Sequence, residues 1–383
     1  MGREDLHEAL SNDLVSKTMR FRSAIILALV CSVVGLVFIA SRKSRPSAEG
    51  SGVSTNASSA SKRLGSFRRS ASIRQAVDDS GEPSTPATTS NLLQRLLAGD
   101  ADTQLTREQL AEYLRQYGTN VETLLATQDK DHLKLAAELF PNDPRVQYAV
   151  VARDIFPEAR REWLDRFKAS APDNALAGYL SAREYLRAGD REQGLKDFAE
   201  AARRPHYNDY SLEQVLNMED AQLSAGRGLA EAKVAAGSGL LLPQLAALKG
   251  LSQDIQQMQK DYIAAGDRAS AEALAQMGRS LAQQLTTGEG SRVLINQLVG
   301  AAIERIVLSP LGTDYQPAFL DGTVQQRFDE LQTFRQSVKE LIQGFEPWMT
   351  GASETELISY FDRMKLQGEY KALLWLQNRH GLR

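Results

Sequence analysis

The side chains that could carry catalysis are few in this chain, and their spacing argues against it. The four histidines, His7, His132, His206 and His380, are scattered, and none has a second metal ligand at helical spacing. Gly288-Glu289-Gly290 lacks the preceding strand and the Lys-Ser/Thr ending of a phosphate-cradling loop. No serine stands in a G-x-S-x-G turn. The adjacent carboxylates Glu219 and Asp220 read as part of a solvated helix face. His206-Tyr207-Asn208-Asp209-Tyr210 is the densest polar-aromatic cluster, and its place after a helical hairpin marks it as a connection. Trp163, Trp348 and Trp375 read as core. The sequence therefore predicts no catalytic residue, no cofactor-binding residue, no metal ligand and no cofactor. One segment is irregular enough to hold a site. Residues 309–323, SPLGTDYQPAFLDGT, form a long loop inside a helical region and offer Asp314, Tyr315 and Asp321. An enzyme or small-ligand binder using that loop is the alternative to a non-enzymatic reading.

Composition narrows the function classes further. Residues 1–90 carry 12 Lys/Arg against 8 Asp/Glu, whereas the remainder carries 33 against 40. A net charge of −7 on that larger part argues against nucleic acid as a partner. The single cysteine, Cys31, lies in an apolar segment, so neither a disulfide framework nor a thiolate metal site is available downstream. Abundant Ala, Leu, Gln and Glu, with no sustained alternation of β-branched residues, predict an all-α protein with almost no strand.

Four regions follow. Residues 1–22 form a polar tail. Residues 23–41 form an anchor whose core, Ala24 to Ala40, is 17 residues without a charge. That is roughly 25 Å of helix, near the lower limit for crossing a bilayer. Phe38-Ile39-Ala40 is a poor cleavage site and Val30 a poor neighbour for a lipidated Cys31, so an uncleaved single-pass anchor is expected. Basic residues balance across it and leave orientation open. The bulk of the chain is expected outside the cytoplasmic membrane, with a cytoplasmic orientation as the alternative. Ala24, Ala28 and Ser32 form a small-residue stripe through which the anchor could self-associate. Residues 42–89 form a linker within a stretch holding 14 serines between 41 and 90, too poor in apolar groups to order itself.

Residues 90–383 read as one helical domain, with a possible subdivision near 240. Thr106/Gln109, Ser211/Gln214 and Ser353/Glu356 are spaced as capping boxes. Pro141-Asn142-Asp143-Pro144 is a turn that restarts a helix at Arg145. Pro157 and Pro243 open helices, the last reaching Ala265, and a long helix runs from about Val324 to Gly344. Ser291–Leu308 is strongly apolar, yet Arg292, Asn296, Glu304 and Arg305 make it a buried core helix and not a second membrane span.

The clearest unit is Pro172–Pro205, two amphipathic stretches folded about Gly189-Asp190. Ala182, Tyr185, Gly189, Asp190, Phe198 and Ala201 stand where a tetratricopeptide repeat has its signature residues, with Gly194 where that pattern prefers Ala. Gly178 and Ser181 depart from it, because a bulky residue is expected early in the first helix. YIAAGDRA around Gly266 echoes YLRAGDRE around Gly189, and a weaker copy centres on Gly368. The 77 residues between Gly189 and Gly266 are not a multiple of 34, so the array is irregular. The chain thus resembles a degenerate tetratricopeptide-repeat protein. That resemblance implies stacked hairpins and a scaffold that binds a protein or peptide partner in a bacterial envelope, held to the bilayer through residues 24–40.

Overall fold

The computed structural model describes Arg95 and residues 103–381; the tail, the anchor, Cys31, His7 and the linker lie outside the described residues. The described part is all-helical, and its one β feature is an isolated bridge between Asn174 and His206. The first four helices are α1 (Arg107–Tyr117), α2 (Val121–Ala126), α3 (Lys130–Leu139) and α4 (Pro144–Ala152). A turn at Pro157–Ala159 leads into α5 (Arg160–Ser170), then α6 (Ala175–Arg187) and α7 (Arg191–Ala202). Next come α8 (Ser211–Ser224), α9 (Leu229–Ser238), α10 (Gln244–Ala264), α11 (Arg268–Thr286) and α12 (Leu294–Leu308). The chain closes with α13 (Val324–Gly351), α14 (Glu354–Gln367) and α15 (Glu369–His380).

Local signals set most of these boundaries. Thr106/Gln109 and Ser353/Glu356 form reciprocal capping boxes, and Asp143 caps α4 with Pro144 in its first turn. Gly189 and Gly266 sit in the left-handed region at φ 85° and 82°. At each turn the following aspartate closes the helix: Asp190 N–H reaches Tyr185 O at 3.0 Å, and Asp267 N–H reaches Tyr262 O at 2.9 Å. The same aspartates then cap the next helix through Gln193 N–H and Ser270 N–H. The two echoing sequences thus fold into the same turn. Gly368 differs: at φ 90° and ψ 154° it ends α14 and begins α15 with no residue between.

Two boundaries differ from the sequence reading. Ser211 does not cap α8; it is the first helical residue, and the Asp209 carboxylate accepts its N–H at 3.2 Å instead. Tyr210, at φ 55°, turns the chain into the helix. The long helix α13 does not stop near Gly344 but runs through Pro347 to Gly351. A proline inside a helix removes one backbone bond. Phe345, Trp348 and Met349, all buried in that last stretch, offset the loss.

Helices α2 to α7 pack in chain order, each on the next. Helix α6 then meets α10 and α7 meets α11, so the two hairpins with matching turns lie side by side. Between them in sequence, α8 and α9 leave the row. Helix α8 returns to α1 and α2, and α9 packs on α14. This excursion accounts for the spacing that is not a multiple of 34. One apolar cluster runs from Val121 to Val307, continuous through residue 240, and a second joins α9 and α12 to α13–α15. Leu294–Leu311 is apolar and long enough for a membrane span, but most of it is buried at the centre of the assembly, as the sequence predicts.

The small residues at 178 and 181 have a steric cause and a hydrogen-bonding cause respectively. A Cβ on Gly178 would stand 2.9 Å from the Ala201 Cβ, so α6 and α7 approach too closely there for a bulky side chain. Ser181 is buried and donates to Asp197, whose other partners are Lys168 at 2.8 Å and Gln193 at 2.9 Å. Gly178→Val should therefore lower unfolding free energy by about 1–3 kcal/mol through overpacking. Urea denaturation of the full chain would measure it, and an unchanged midpoint would refute the close approach.

Candidate binding cleft

A cleft with a largely apolar lining opens where the start of α8 and the end of α9 face α13, α14 and the first residues of α15. It encloses about 80 Å³ and opens to solvent at its mouth. Its deep wall is apolar and aromatic, with Ile295, Phe345, Met349, Tyr360 and Phe361. Leu212, Ser238, Met364, Arg292 and Lys365 are half-buried at the mouth. One carboxyl belongs to the lining. Glu369 opens α15 and is 7 % exposed, and its Oε2 accepts the Leu294 N–H at 2.8 Å. Burial pushes its pKa up from 4.5 to about 7, against the downward pull of that one N–H.

Behind the mouth lies a chain of alternating charges. Lys233 Nζ is 2.8 Å from Glu219 Oε1 and 2.6 Å from Asp362 Oδ1, and Lys365 Nζ is 2.7 Å from Glu219 Oε2. Glu219 is therefore not on a solvated face: it is 7 % exposed and joins α8 to α9 and α14. Burial acts to lower the Lys233 pKa, but hydrogen bonds to Asp362 and Glu219 outweigh it and hold the ammonium charged. The neighbouring Asp220 is pushed up by burial and by the Glu219 charge.

The polar-aromatic cluster after α7 is a junction. Asn174 clamps it: its Nδ2 donates to Asn208 O at 2.7 Å, and its Oδ1 accepts Asn208 N–H at 3.0 Å. Asp209, 3 % exposed, accepts from Gln244 Nε2 at 2.9 Å and Asn296 Nδ2 at 3.0 Å. Gln244 in turn accepts from the Tyr148 hydroxyl at 2.8 Å. Tyr207 is buried beside them, whereas His206 is exposed.

The loop 309–323 places its candidate residues apart. Asp314 and Asp321 are exposed. Tyr315 leans against Arg268, whose guanidinium lies 3.8 Å from the ring centroid, and its hydroxyl bonds Glu272. Leu311 and Leu320 are buried under the loop, which packs as a corner on α11–α13. Arg279 binds Phe319 O at 2.7 Å and, with Arg327, encloses the buried Glu304 of α12. His132 and His380 stand near Asp129 and Glu356, and no group of three or more His, Cys, Asp or Glu side chains converges among the described residues. Trp163 and Trp348 are buried, while Trp375 lies half-buried with Arg363 and Arg379 over its ring. No family model, curated protein or solved structure matches the chain.

Sequence reasoning missed Glu369, because an acidic residue in the first turn of a helix is an ordinary N-terminal feature. Only the burial of that helix start against α12 sets it apart.

Two measurements check these charges. Folded Glu369 holds its proton to a higher pH than the unfolded chain does. Its neutral form is therefore tolerated fully below about pH 4.5, and stability is lost as pH rises to about 7. Glu369→Gln should remove that slope and gain about 3 kcal/mol at pH 8 while changing little at pH 4. A parallel pair of stability–pH curves would contradict this. Lys233→Met should cost about 3 kcal/mol by leaving the buried Glu219 short of a cation. Adding Glu219→Gln should recover part of that loss in denaturant melts; strict additivity would deny the coupling.

Proposed function

We propose that the chain is a membrane-tethered helical scaffold that binds a protein or peptide partner beside the cytoplasmic membrane, on its outer side. Residues 24–40 anchor it, and the Ser-rich segment 42–89 acts as a tether with a reach of roughly 40 Å. The observation that carries this reading is the direct packing of α6–α7 on α10–α11, two hairpins with matching Gly-Asp turns. Tetratricopeptide-like arrays stack hairpins in this way and leave an extended surface for a partner. The step from such a fold to partner binding rests on analogy. A second support is the outer face of α8. Leu216 and Leu223, 42 % and 37 % exposed and seven residues apart, lie on one side of the helix, with the exposed Leu229 following.

Two experiments in cells test it. A photo-crosslinking side chain at Leu216 or Leu223 should give a discrete heavier product, and the same group at Asp314 should not. Absence of any product from α8 would sink the docking face. For the compartment, Ser58→Cys should react with a membrane-impermeant maleimide in unbroken cells once the reagent has passed any outer barrier. Labelling only after lysis would place the scaffold in the cytoplasm.

A further inference from the structure

The cleft beside Glu369 contains a set of groups that a mere packing seam does not require. The carboxyl is buried, and the Leu294 N–H is the one hydrogen-bond donor that reaches it among the described residues. Three aromatic rings stand in the same lining. Phe345 and Tyr360 have ring centroids 4.9 Å apart, and Tyr360 and Phe361 5.2 Å. The cations nearby are engaged elsewhere. Lys365 is shared between Glu219 at 2.7 Å and Asp362 at 3.4 Å, and Arg292 Nη1 donates to the Lys365 carbonyl at 2.8 Å. The cleft therefore holds an ionisable carboxyl, aromatic side chains and apolar volume, and among the described residues no cation is paired with that carboxyl.

Aromatic faces attract cations through their negative quadrupole, and the attraction grows when water is excluded. A carboxylate in the same low-dielectric space adds a far stronger pull than it would at the surface. We propose that this cleft binds an organic ammonium ion carried on an aliphatic body. The ammonium would sit beside Glu369, with the aliphatic part against the aromatic rings and Met349. An anionic ligand held by Arg292 and Lys365 is the competing arrangement. It is disfavoured because Lys365 is already paired with Glu219 and Asp362, and because a second anion would lie close to Glu369. The charged or titratable groups lining the cleft around Glu369 are Tyr360 and Lys365 from α14 and Arg292 from the turn before α12. Helices α8, α9 and α13 contribute serines, a glycine and apolar side chains to it. The change of charge within the cleft near neutral pH is therefore that of Glu369 itself.

The test uses the full chain in uncharged maltoside micelles and three probes of one length: n-hexylammonium, hexanoate and 1-hexanol. Their binding and their effect on melting temperature are compared at pH 8 and pH 5. Hexylammonium should raise the melting temperature most and bind about tenfold or more tightly at pH 8 than at pH 5, where Glu369 is protonated. Glu369→Gln should abolish that pH dependence. Equal shifts from hexanol would mean an apolar hole without charge recognition, and a larger shift from hexanoate would mean an anion site; either overturns the proposal. Calorimetry on the unaltered chain guards against a variant that fails to fold. At pH 7, in two buffers of different ionisation enthalpy, hexylammonium binding should release about half a proton as Glu369 ionises fully. Binding without proton release would overturn the assignment to Glu369.

Discussion

The fold depends on one buried carboxylate. Asp209 sits between α7 and α8, and its partners are amides and a backbone N–H, not cations. Gln244 brings the start of α10, Asn296 the start of α12 and Ser211 the start of α8. Through Gln244 the Tyr148 hydroxyl adds α4. The order of donors is fixed, because Gln244 must offer its carbonyl to Tyr148 and its amide to Asp209. Three helix beginnings are thereby held at one point. Losing any single member would leave a desolvated polar group unpaired, which costs more than the bond itself contributes. The row from α2 to α7 ends beside this point, and the excursion through α8 and α9 starts from it.

The buried carboxylates are handled in different ways, and the differences mark out the molecule. Asp209 is held by neutral donors. Glu304 lies between two arginines, with Arg327 Nε and Nη2 each 2.8 Å from its oxygens. Glu219 lies between two lysines. Glu304 joins three successive helices and Glu219 joins α8 to α9 and the distant α14, and in each the geometry satisfies both carboxylate oxygens. Glu369 alone of these four receives a single N–H and is held near neutrality by burial. Groups left short of partners in this way tend to belong to sites and not to scaffolding.

What could be read from the sequence was local. The Gly-Asp turns, the Thr106 and Ser353 boxes and the proline starts depend on residues within one turn of each other, and they stand as read. The interior polarity of α12 was also legible, since Asn296 and Glu304 in an apolar helix require partners inside the protein. Three readings failed for one reason: the deciding partner was remote or stronger. Ser211 had the spacing of a cap, but Asp209, fixed by α10 and α12, supplied the oxygen first. Gly344 and Pro347 are helix breakers locally, yet the apolar contacts of Phe345, Trp348 and Met349 carried α13 past them. Glu219 looked like a surface acid because Lys233 and Lys365 stand 14 and 146 residues away in sequence. The cleft was invisible for the same reason, being assembled from chain segments that no spacing rule connects.

The return of α8 to the beginning of the domain sets an order on how the protein can be made. Thr103 O is bonded by Gln222 at 2.7 Å, and Gln128 bonds Gly239 O at 3.2 Å, across 119 and 111 residues. Neither contact can form until the ribosome has delivered the later partner. At roughly 5–20 residues per second that is a delay of roughly 6–24 s. For that interval α1 and α2, the first described helices to emerge, have no surface on which to bury Tyr113 and Ala126, which lie against Ala221 in the finished protein. These two helices therefore keep part of their surface unshielded until α8 has been made. That interval of exposure during synthesis, not stability once folded, opens this part of the architecture to chaperones and to misassembly.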